Sequence, residues 1–249
     1  MDSYINNYDA CDKIVIYVFN VGQGGLGDYI KFFMFALASC MKNNERLYCR
    51  KNNIEIEKYI KLKYDKMYIN EEHIKDLGFV KFVNPYTYYS ITHYDFCTNI
   101  NEVFYFTDEI KINYKLLFPL DITNYISIHL RLGDKFLETD KQYVECKEDT
   151  RLFSEEKLHN FIEENYNKNI FFCCDNKEYK LKIKEKYNKI IIINGDIGHV
   201  GFFNTTKKQV LDTITEFYIL TNSEMIYCTS YSGFSLVASK FNNIPTIKN

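Results

Sequence analysis

A histidine that can act as a base and an arginine, His129 and Arg131, lie two positions apart in residues 125–135, which read YISIHLRLGDK. Because strand side chains alternate between two faces, His129 and Arg131 are predicted to project to the same side. A guanidinium is a planar fork that can bind two phosphate oxygens and stabilise negative charge that develops there. Gly133 permits a turn, so Asp134 falls just past the carboxyl end of the strand, where open α/β sheets bind ligands. The alternative interpretation is a buried strand that ends in a charged loop.

A glycine-rich segment, residues 20–27 (NVGQGGLG), follows an apolar run that is typical of a central strand. Its uncovered backbone N–H groups, chiefly at Gly24, Gly25 and Gly27, can cradle a diphosphate. Asp28 then opens a predicted helix, whose amino terminus adds a favourable dipole for phosphate. The spacing matches neither a GxGxxG fingerprint nor a Walker loop, so a tight strand-to-helix connection is the alternative interpretation.

A hydroxyl-rich turn begins the closing segment SYSGFSLVASKF, residues 230–241, and leads into a last predicted helix. Backbone N–H groups and hydroxyls in such a turn can hold the same diphosphate. The residues concerned are Ser230, Ser232, Gly233, Phe234 and Ser235.

The elements that must position these residues are predicted from hydrophobic periodicity. The predicted strands are residues 13–19, 46–50, 80–83, 126–131, 169–174, 189–193 and 224–229, and the predicted helices are residues 28–42, 54–62, 154–166, 177–187, 207–221 and the end of 230–241. Strands and helices alternate after a connection at residues 119–123, which implies an α/β class with a parallel sheet and a second domain from residue 121. Residues 84–120 are rich in Tyr, Phe and Asn, and their weak periodicity assigns no element.

Composition excludes several classes of protein. Thirty-one Lys plus Arg against 33 Asp plus Glu give a net charge of −2, which provides no general attraction for nucleic acid. No apolar run reaches the roughly 18 to 20 residues of a membrane span, and the amino terminus is not a signal peptide. The eight cysteines lack repeated Cys-x-x-Cys spacing, so free buried thiols and a reducing, cytoplasmic location are predicted.

No metal is predicted at the site. The chain contains no Asp-x-Asp triplet, and His199 has no second His or Cys at ligand spacing, so we interpret it as a loop residue. Arg131 and backbone amides can stabilise the negative charge that a divalent ion would otherwise neutralise.

The strand motif resembles the His-x-Arg-Arg-x-Asp signature of the α1,2-, α1,6- and protein O-fucosyltransferase superfamily. His129, Arg131, Gly133 and Asp134 match the His-x-Arg-Arg-Gly-Asp form of the α1,2 enzymes, which makes those enzymes the most similar in motif. Leu132 replaces the second arginine of that form.

Three further segments resemble the same superfamily. GGLGD is similar to its Gly-Gly-Leu-Gly-Asn start, with Asp28 in place of the usual Asn. FFCCD, which ends at Asp175, resembles its Ala-Thr-Asp strand end. The closing segment EFYILTNSEMIYCTSYS aligns without gaps to an acidic residue, an apolar strand and a serine-rich turn, so Glu216 takes the acidic position. Asp212, one helical turn earlier, takes that position if the register slips.

The resemblance implies a GT-B arrangement of two Rossmann-like domains, the first at residues 1–120 for the acceptor and the second at residues 121–249 for the nucleotide sugar. It implies GDP-fucose as donor and no metal. Arg131 would stabilise the leaving diphosphate, while His129 and Glu216 would recognise guanine through groups such as its N1–H.

The remaining roles also follow from the resemblance. Asp175 would lie near the nucleotide, and the general base for the acceptor hydroxyl would be Glu138 or Asp140 in the loop after the strand. Asp134 would orient that loop and Arg131. Aromatic side chains of residues 84–120 are candidates for stacking on acceptor sugars, although most are expected in the core.

The predicted function is therefore inverting transfer of fucose from GDP-fucose to a hydroxyl of a glycan acceptor. Two alternatives stay open. One keeps the GT-B fold with another nucleotide sugar, and the other is a non-catalytic module that binds nucleotide sugars or glycans.

Overall fold

The computed structural model describes residues 1–137, 148–201 and 204–248. Their strands form two four-stranded parallel sheets and one antiparallel pair. In chain order the strands are β1 (Ile14–Tyr17), β2 (Arg46–Arg50), β3 (Ile60–Leu62), β4 (Tyr68–Ile69), β5 (Val80–Val83), β6 (Phe104–Phe106), β7 (Ile126–Leu130), β8 (Ile170–Cys174), β9 (Ile226–Cys228) and β10 (Thr246–Lys248). The first sheet has the order β4-β2-β1-β5, the second has the order β10-β9-β7-β8, and β3 pairs with β6.

Helices connect the parallel strands, because a parallel pair needs a crossover between its two members. In chain order they are α1 (Asp2–Asn6), α2 (Leu26–Asn43), α3 (Ile56–Tyr59), α4 (Glu71–Ile74), α5 (Ile100–Val103), α6 (Asp108–Leu117), α7 (Glu155–Glu164), α8 (Lys177–Lys186), α9 (Lys207–Thr221) and α10 (Gly233–Phe241). Single 3-10 turns lie at Tyr8–Ala10, Asp65–Met67, Pro85–Tyr88 and Asp134–Phe136.

The first sheet is centred on β1, which pairs in parallel with β2 and β5. Tyr17 packs edge-on against Phe33 of α2, with ring centroids 5.5 Å apart. Ile16 points to the opposite face, where it joins a smaller buried cluster with Ile69. The glycine-rich turn therefore leaves the carboxyl end of the central strand and leads directly into α2.

The second sheet is centred on β7, and every residue of β7 is buried. It pairs in parallel with β8 and β9, so the three carboxyl ends meet at one edge of the sheet. Arg131, Asp175 and the turn that begins at Ser230 therefore emerge side by side. This edge is where ligands bind in open α/β sheets.

Two helix pairs hold the halves of the chain together, since α2 packs on α10 and α6 packs on α9. One continuous core includes apolar residues of both halves, and Phe106 of β6 stacks obliquely on Phe241 of α10 with ring centroids 5.1 Å apart. At the α2–α10 contact, a Cβ added to Gly27 would lie 2.7 Å from the carbonyl carbon of Gly233. The amino termini of α2 and α10 therefore touch backbone to backbone.

The predicted α/β class with parallel sheets is confirmed, but two predicted elements are wrong. Residues 54–62, predicted as one helix, form α3 followed by β3, because the second part pairs with β6. Residues 189–193, predicted as a strand, form only an isolated bridge between Ile191 and Phe171. The unassigned residues 84–120 contain α5, β6 and α6. The domain boundary at residue 120 stays a prediction.

Two predictions about the chain as a whole can be compared with the described residues. The seven described cysteines are free thiols, of which six are buried and Cys97 is exposed. No helix in the described part of the chain is both long and apolar enough to cross a membrane.

Candidate active site

Arg131 is held by carboxylates on both sides at the carboxyl end of β7. Its Nη1 lies 2.9 Å from Asp175 Oδ2, and its Nη2 pairs with Asp134 Oδ1. Asp175 also accepts the backbone N–H groups of Leu132 and Gly133 at 2.7 and 3.0 Å. The guanidinium is therefore fixed in direction, with 17% of its side chain exposed. Asp175, predicted to lie near a nucleotide, positions Arg131 and its turn in this structure.

The turn after β7 depends on Gly133. Its φ of +113° favours glycine, and a Cβ there would collide with the carbonyl oxygen of Asp149. The backbone of Arg151 closes the same loop by donating to the carbonyl of Leu132 at 2.8 Å. Burial raises the pKa of Asp134, and the charge of Arg131 opposes that shift. Asp134 thus contacts Arg131, as its predicted orienting role requires.

The hydroxyl turn is tied to the end of β7 through Ser230. The Arg131 N–H donates to Ser230 Oγ at 3.0 Å, and the Ser230 hydroxyl donates to the Arg131 carbonyl at 2.9 Å. Ser232 caps α10, since its Oγ accepts the Phe234 N–H at 3.3 Å, and the Ser235 hydroxyl donates to the Ser232 carbonyl at 3.4 Å. The first N–H groups of a helix have no partner inside the helix, so the start of α10 can receive an anion beside Arg131.

His129 lies beneath the start of α10. Its ring stacks on that of Phe234, with centroids 5.3 Å apart and an interplanar angle of 25°. Only 4% of its surface is exposed, and its Nδ1 has no hydrogen-bond partner among the described residues. Burial, together with the positive charge of Arg131, lowers the pKa of His129 to about 3. The imidazole is therefore neutral at physiological pH, and its Nδ1 is an enclosed polar atom without a partner among the described residues.

The glycine-rich turn is packed more tightly than a simple phosphate cradle. Asp28, the third residue of α2, accepts the Gly25 N–H at 3.1 Å, so its carboxylate caps the amino terminus of that helix. The Gly22 N–H donates to the Gly201 carbonyl at 2.7 Å. A Cβ at Gly201 would overlap the carbonyl oxygen of Gly24. The glycines therefore permit close contact with a second loop, and donor binding by Gly24, Gly25, Gly27 and Asp28 stays a prediction.

That second loop, residues 195–201, places His199 against the glycine-rich turn, a contact that sequence reasoning missed. A Cβ on Gly25 would lie 3.3 Å from His199 Cε1 and Nε2, so the imidazole sits directly on the glycine turn. Burial and the nearby charge of Arg131 lower the pKa of His199 to about 3. No spacing rule could have found this residue, because its neighbours lie roughly 70 and 170 positions away in the chain.

Glu216, predicted to read guanine, is enclosed inside the second half. It forms an ion pair with Lys180 at 2.6 Å, and both side chains are 2% exposed. Cys173 donates its S–H to the other carboxylate oxygen at 2.9 Å. Burial raises the pKa of Glu216. Burial is also the largest influence on Lys180 and lowers its pKa, but the charge and hydrogen bond of Glu216, together with the neighbouring cysteines, outweigh it and leave the Lys180 pKa raised. Recognition of guanine by Glu216 stays a prediction, and it would require this pair to open.

Asp212, the alternative candidate for guanine recognition, also has partners for its carboxylate. Its carboxylate accepts from the Asp196 N–H at 2.9 Å and from Asn113 Nδ2 at 3.2 Å, and it pairs with Lys208 at 2.5 Å. Asp212 therefore ties the 195–201 loop and α6 to α9.

The two predicted general bases and the predicted absence of a metal both stay predictions. Glu138 and Asp140, the predicted general bases, lie outside the described residues. Within residues 1–137, 148–201 and 204–248, no group of three His, Cys, Asp or Glu side chains could hold a metal ion.

Comparison with known proteins identifies the fold. No protein-family model and no curated protein matches the sequence. Among solved structures, the α-1,6-fucosyltransferase NodZ co-crystallised with GDP is similar, with a TM-score of 0.58, 12% identity, and coverage of 95% of this chain and 94% of NodZ. The chain has a GT-B-like fold.

Two other solved structures share this GT-B-like fold. An Arabidopsis thaliana FUT1 mutant in complex with GDP has a TM-score of 0.58 at 10% identity, with 100% of this chain and 74% of that chain covered. POFUT1 in complex with GDP-fucose has a TM-score of 0.54 at 10% identity, with 96% and 98% covered. The predicted fold class is confirmed, while the closeness in motif to α1,2 enzymes stays a prediction.

The two buried histidines near Arg131, His129 and His199, predict a pH effect on stability. The unfolded chain protonates each imidazole near its usual pKa of 6.5, whereas His129 in the folded protein does so only near 3. The contribution of His129 is therefore fully present above pH 6.5 and is lost as the pH falls towards 3. Between pH 6.5 and 5.5 this loss is about 1 kcal/mol for each such histidine.

Urea unfolding at the two pH values tests the effect, with His129→Gln as the comparison. The variant should lose about 1 kcal/mol less than the wild type across this interval. A difference between proteins is needed because burial raises the pKa of Glu57 to about 7, and that shift changes stability in the opposite sense. Identical pH dependence in both proteins would contradict a neutral, buried His129.

Proposed function

We propose that this chain is an inverting glycosyltransferase that transfers fucose from GDP-fucose to a hydroxyl of a glycan. The observation that carries the proposal is Arg131, which Asp134 and Asp175 fix at the carboxyl end of β7, beside the amino terminus of α10. The GT-B-like fold supports it, because NodZ was co-crystallised with GDP and a POFUT1 structure is in complex with GDP-fucose.

The donor diphosphate would lie between Arg131 and the first turn of α10. The first N–H groups of that turn, of which the Phe234 N–H is capped by Ser232, provide a fixed dipole for phosphate oxygens. Ser232 would contribute its hydroxyl, and the free Nδ1 of buried His129 would contribute a hydrogen bond to the donor. Asp175 would act through Arg131, because its oxygens are occupied by that side chain and by two backbone amides.

The reaction is a single displacement at C1 of fucose. The acceptor oxygen forms the new bond to C1 on the face opposite the diphosphate. The bond from C1 to the terminal phosphate oxygen breaks, and its electron pair stays on the nucleoside diphosphate. Arg131 stabilises that growing charge, because a preorganised donor needs no reorientation as the charge develops. The acceptor proton passes to a general base, for which Glu138 is our candidate; Asp134 orients the guanidinium.

A second candidate function is a GT-B glycosyltransferase with another nucleotide sugar. The observation that favours it is the ion pair between Glu216 and Lys180, because an engaged carboxylate offers guanine no free oxygens. Neighbouring groups would then recognise the base of a nucleotide other than GDP.

Two assignments extend the proposal. The acceptor would approach from the first half, where Tyr86 and Tyr89 are 59% and 73% exposed and can stack on sugar rings. A cytoplasmic location is proposed from the free thiols at the described cysteines.

We expect GDP to bind in the presence of a chelator, since Arg131 and the start of α10 provide the charge complementarity that a metal would supply. Calorimetry with GDP, UDP and ADP in chelator measures this directly. Hydrolysis of a panel of nucleotide sugars, which needs no acceptor, then identifies the donor. Loss of GDP binding in chelator with recovery in manganese would contradict metal independence, and preferential hydrolysis of a UDP-sugar would favour the second candidate.

A further inference from the structure

Helix α2 carries a largely buried cation, Lys31, that makes no direct ion pair with a described side chain, although the charge of Asp28 one turn earlier acts on it. Only 7% of its surface is exposed. Its Nζ lies 4.8 Å from the ring centroid of Tyr94, 5.0 Å from that of Phe32 and 5.8 Å from that of Phe35. No side chain or carbonyl of the described residues accepts a hydrogen bond from it. The Nζ itself is not one of the fully enclosed polar atoms without a partner, so it lies at the edge of these rings, where a ligand can contact it.

Lys31 lies at the contact between the two halves. It is one helical turn after Gly27, whose Cα abuts the backbone of Gly233 at the start of α10. Tyr94, which covers the Lys31 ammonium, reaches the same place, because a Cβ on Gly233 would lie 3.3 Å from its hydroxyl oxygen. Lys31, Tyr94 and the amino terminus of α10 are therefore contiguous.

The charge balance around Arg131 leaves room for a second cation. Arg131 is shared by two carboxylates, Asp134 and Asp175, so these three side chains together carry no net positive charge. A diphosphate brings several negative charges to this point. The carboxylate closest to Lys31 along α2 is Asp28, whose oxygen accepts the Gly25 N–H. Lys31 is thus a cation beside the proposed site that interacts with the Asp28 charge but forms no direct ion pair with a described carboxylate.

We propose that Lys31 is a second cation for the donor diphosphate, supplied by the first half of the chain across the α2–α10 contact. This inference rests on the proposed function and adds a residue to its donor site. The aromatic rings hold the ammonium at the site before the donor arrives, since cations bind to ring faces. Burial lowers the pKa of Lys31 and the charge of Asp28 opposes that shift; an arriving phosphate would favour the charged form further.

Calorimetry of GDP and guanosine tests Lys31. Lys31→Met and Lys31→Gln should weaken GDP binding about 10- to 100-fold, as expected for the loss of a hydrogen bond to a charged group. Guanosine binding, measured by competition, should not change, because it has no phosphate. Lys31→Arg should bind GDP more tightly than either neutral variant. Lys42→Met, an exposed substitution near the other end of α2, is the matched control and should behave as the wild type.

The outcomes distinguish the Lys31 assignment from the proposed function on which it rests. A wild-type protein that does not bind GDP contradicts the proposed function and removes the basis for this site. A wild type that binds GDP, together with folded neutral variants whose GDP affinity lies within twofold of it, overturns the Lys31 assignment alone. Equal losses for GDP and guanosine, or failure of both neutral variants to fold, would make Lys31 a core residue and would also overturn it.

Discussion

Replacing Arg131 with lysine is expected to lower turnover about 100- to 1,000-fold, which is the typical cost of removing a preorganised donor for developing charge, about 2.7 to 4 kcal/mol. Lysine keeps the charge but presents a mobile point where a planar fork is needed. The fork is visible here, because Nη1 pairs with Asp175 while Nη2 pairs with Asp134. One ammonium cannot make both contacts in the same plane. The loss should appear chiefly in turnover, with a smaller effect on donor affinity.

Donor hydrolysis measures this effect for Arg131→Lys and Arg131→Ala beside the wild type. Circular dichroism must first show that each variant folds, since removing Arg131 leaves two buried carboxylates without their cation. Arg50→Lys is the matched control, because Arg50 also ends a parallel strand but pairs with Glu71 at 3.1 Å. Near wild-type turnover in folded Arg131→Ala protein would show that Arg131 has only a structural role at the end of β7.

The second large effect concerns stability and the Lys180–Glu216 pair. Lys180→Met should lower the free energy of unfolding by about 3 to 5 kcal/mol, because it leaves a buried carboxylate without its cation. The double variant Lys180→Met with Glu216→Leu should recover most of that loss, since the remaining side chains are both apolar. Urea denaturation measures all three proteins. Lys182→Met is the control, because its pair with Glu155 is largely exposed and contributes about 1 kcal/mol or less.

A small loss in Lys180→Met, similar to that of the control, would contradict a closed ion pair in the folded protein. The same variants also test the predicted recognition of guanine by Glu216. If Glu216 reads guanine, the folded double variant should lose GDP affinity while any UDP binding is retained. Equal affinities for GDP before and after the change would assign Glu216 to stability alone, and Asp212 would be tested next.

The sequence by itself determined the elements whose signals are local. Apolar β-rich runs located β1, β2, β5, β7 and β8, and the alternation of strands and helices after residue 123 predicted a parallel sheet in the second half, which the structure confirms. Parallel strands end at one edge, and the strand order of the second sheet brings Arg131, Asp175 and Ser230 together there. Local periodicity predicts the strands and their direction, but that order is a tertiary property.

Only the tertiary structure decided which partners these side chains take. Glu216 pairs with Lys180 across 36 positions, and His199 reaches Gly25 from a loop of the other half. The antiparallel pairing of β3 with β6 likewise overrides the helical pattern of residues 54–62. These contacts depend on how two sheets and their helices pack together. Hydrophobic periodicity records which face of an element is buried, but not which distant residue it meets there.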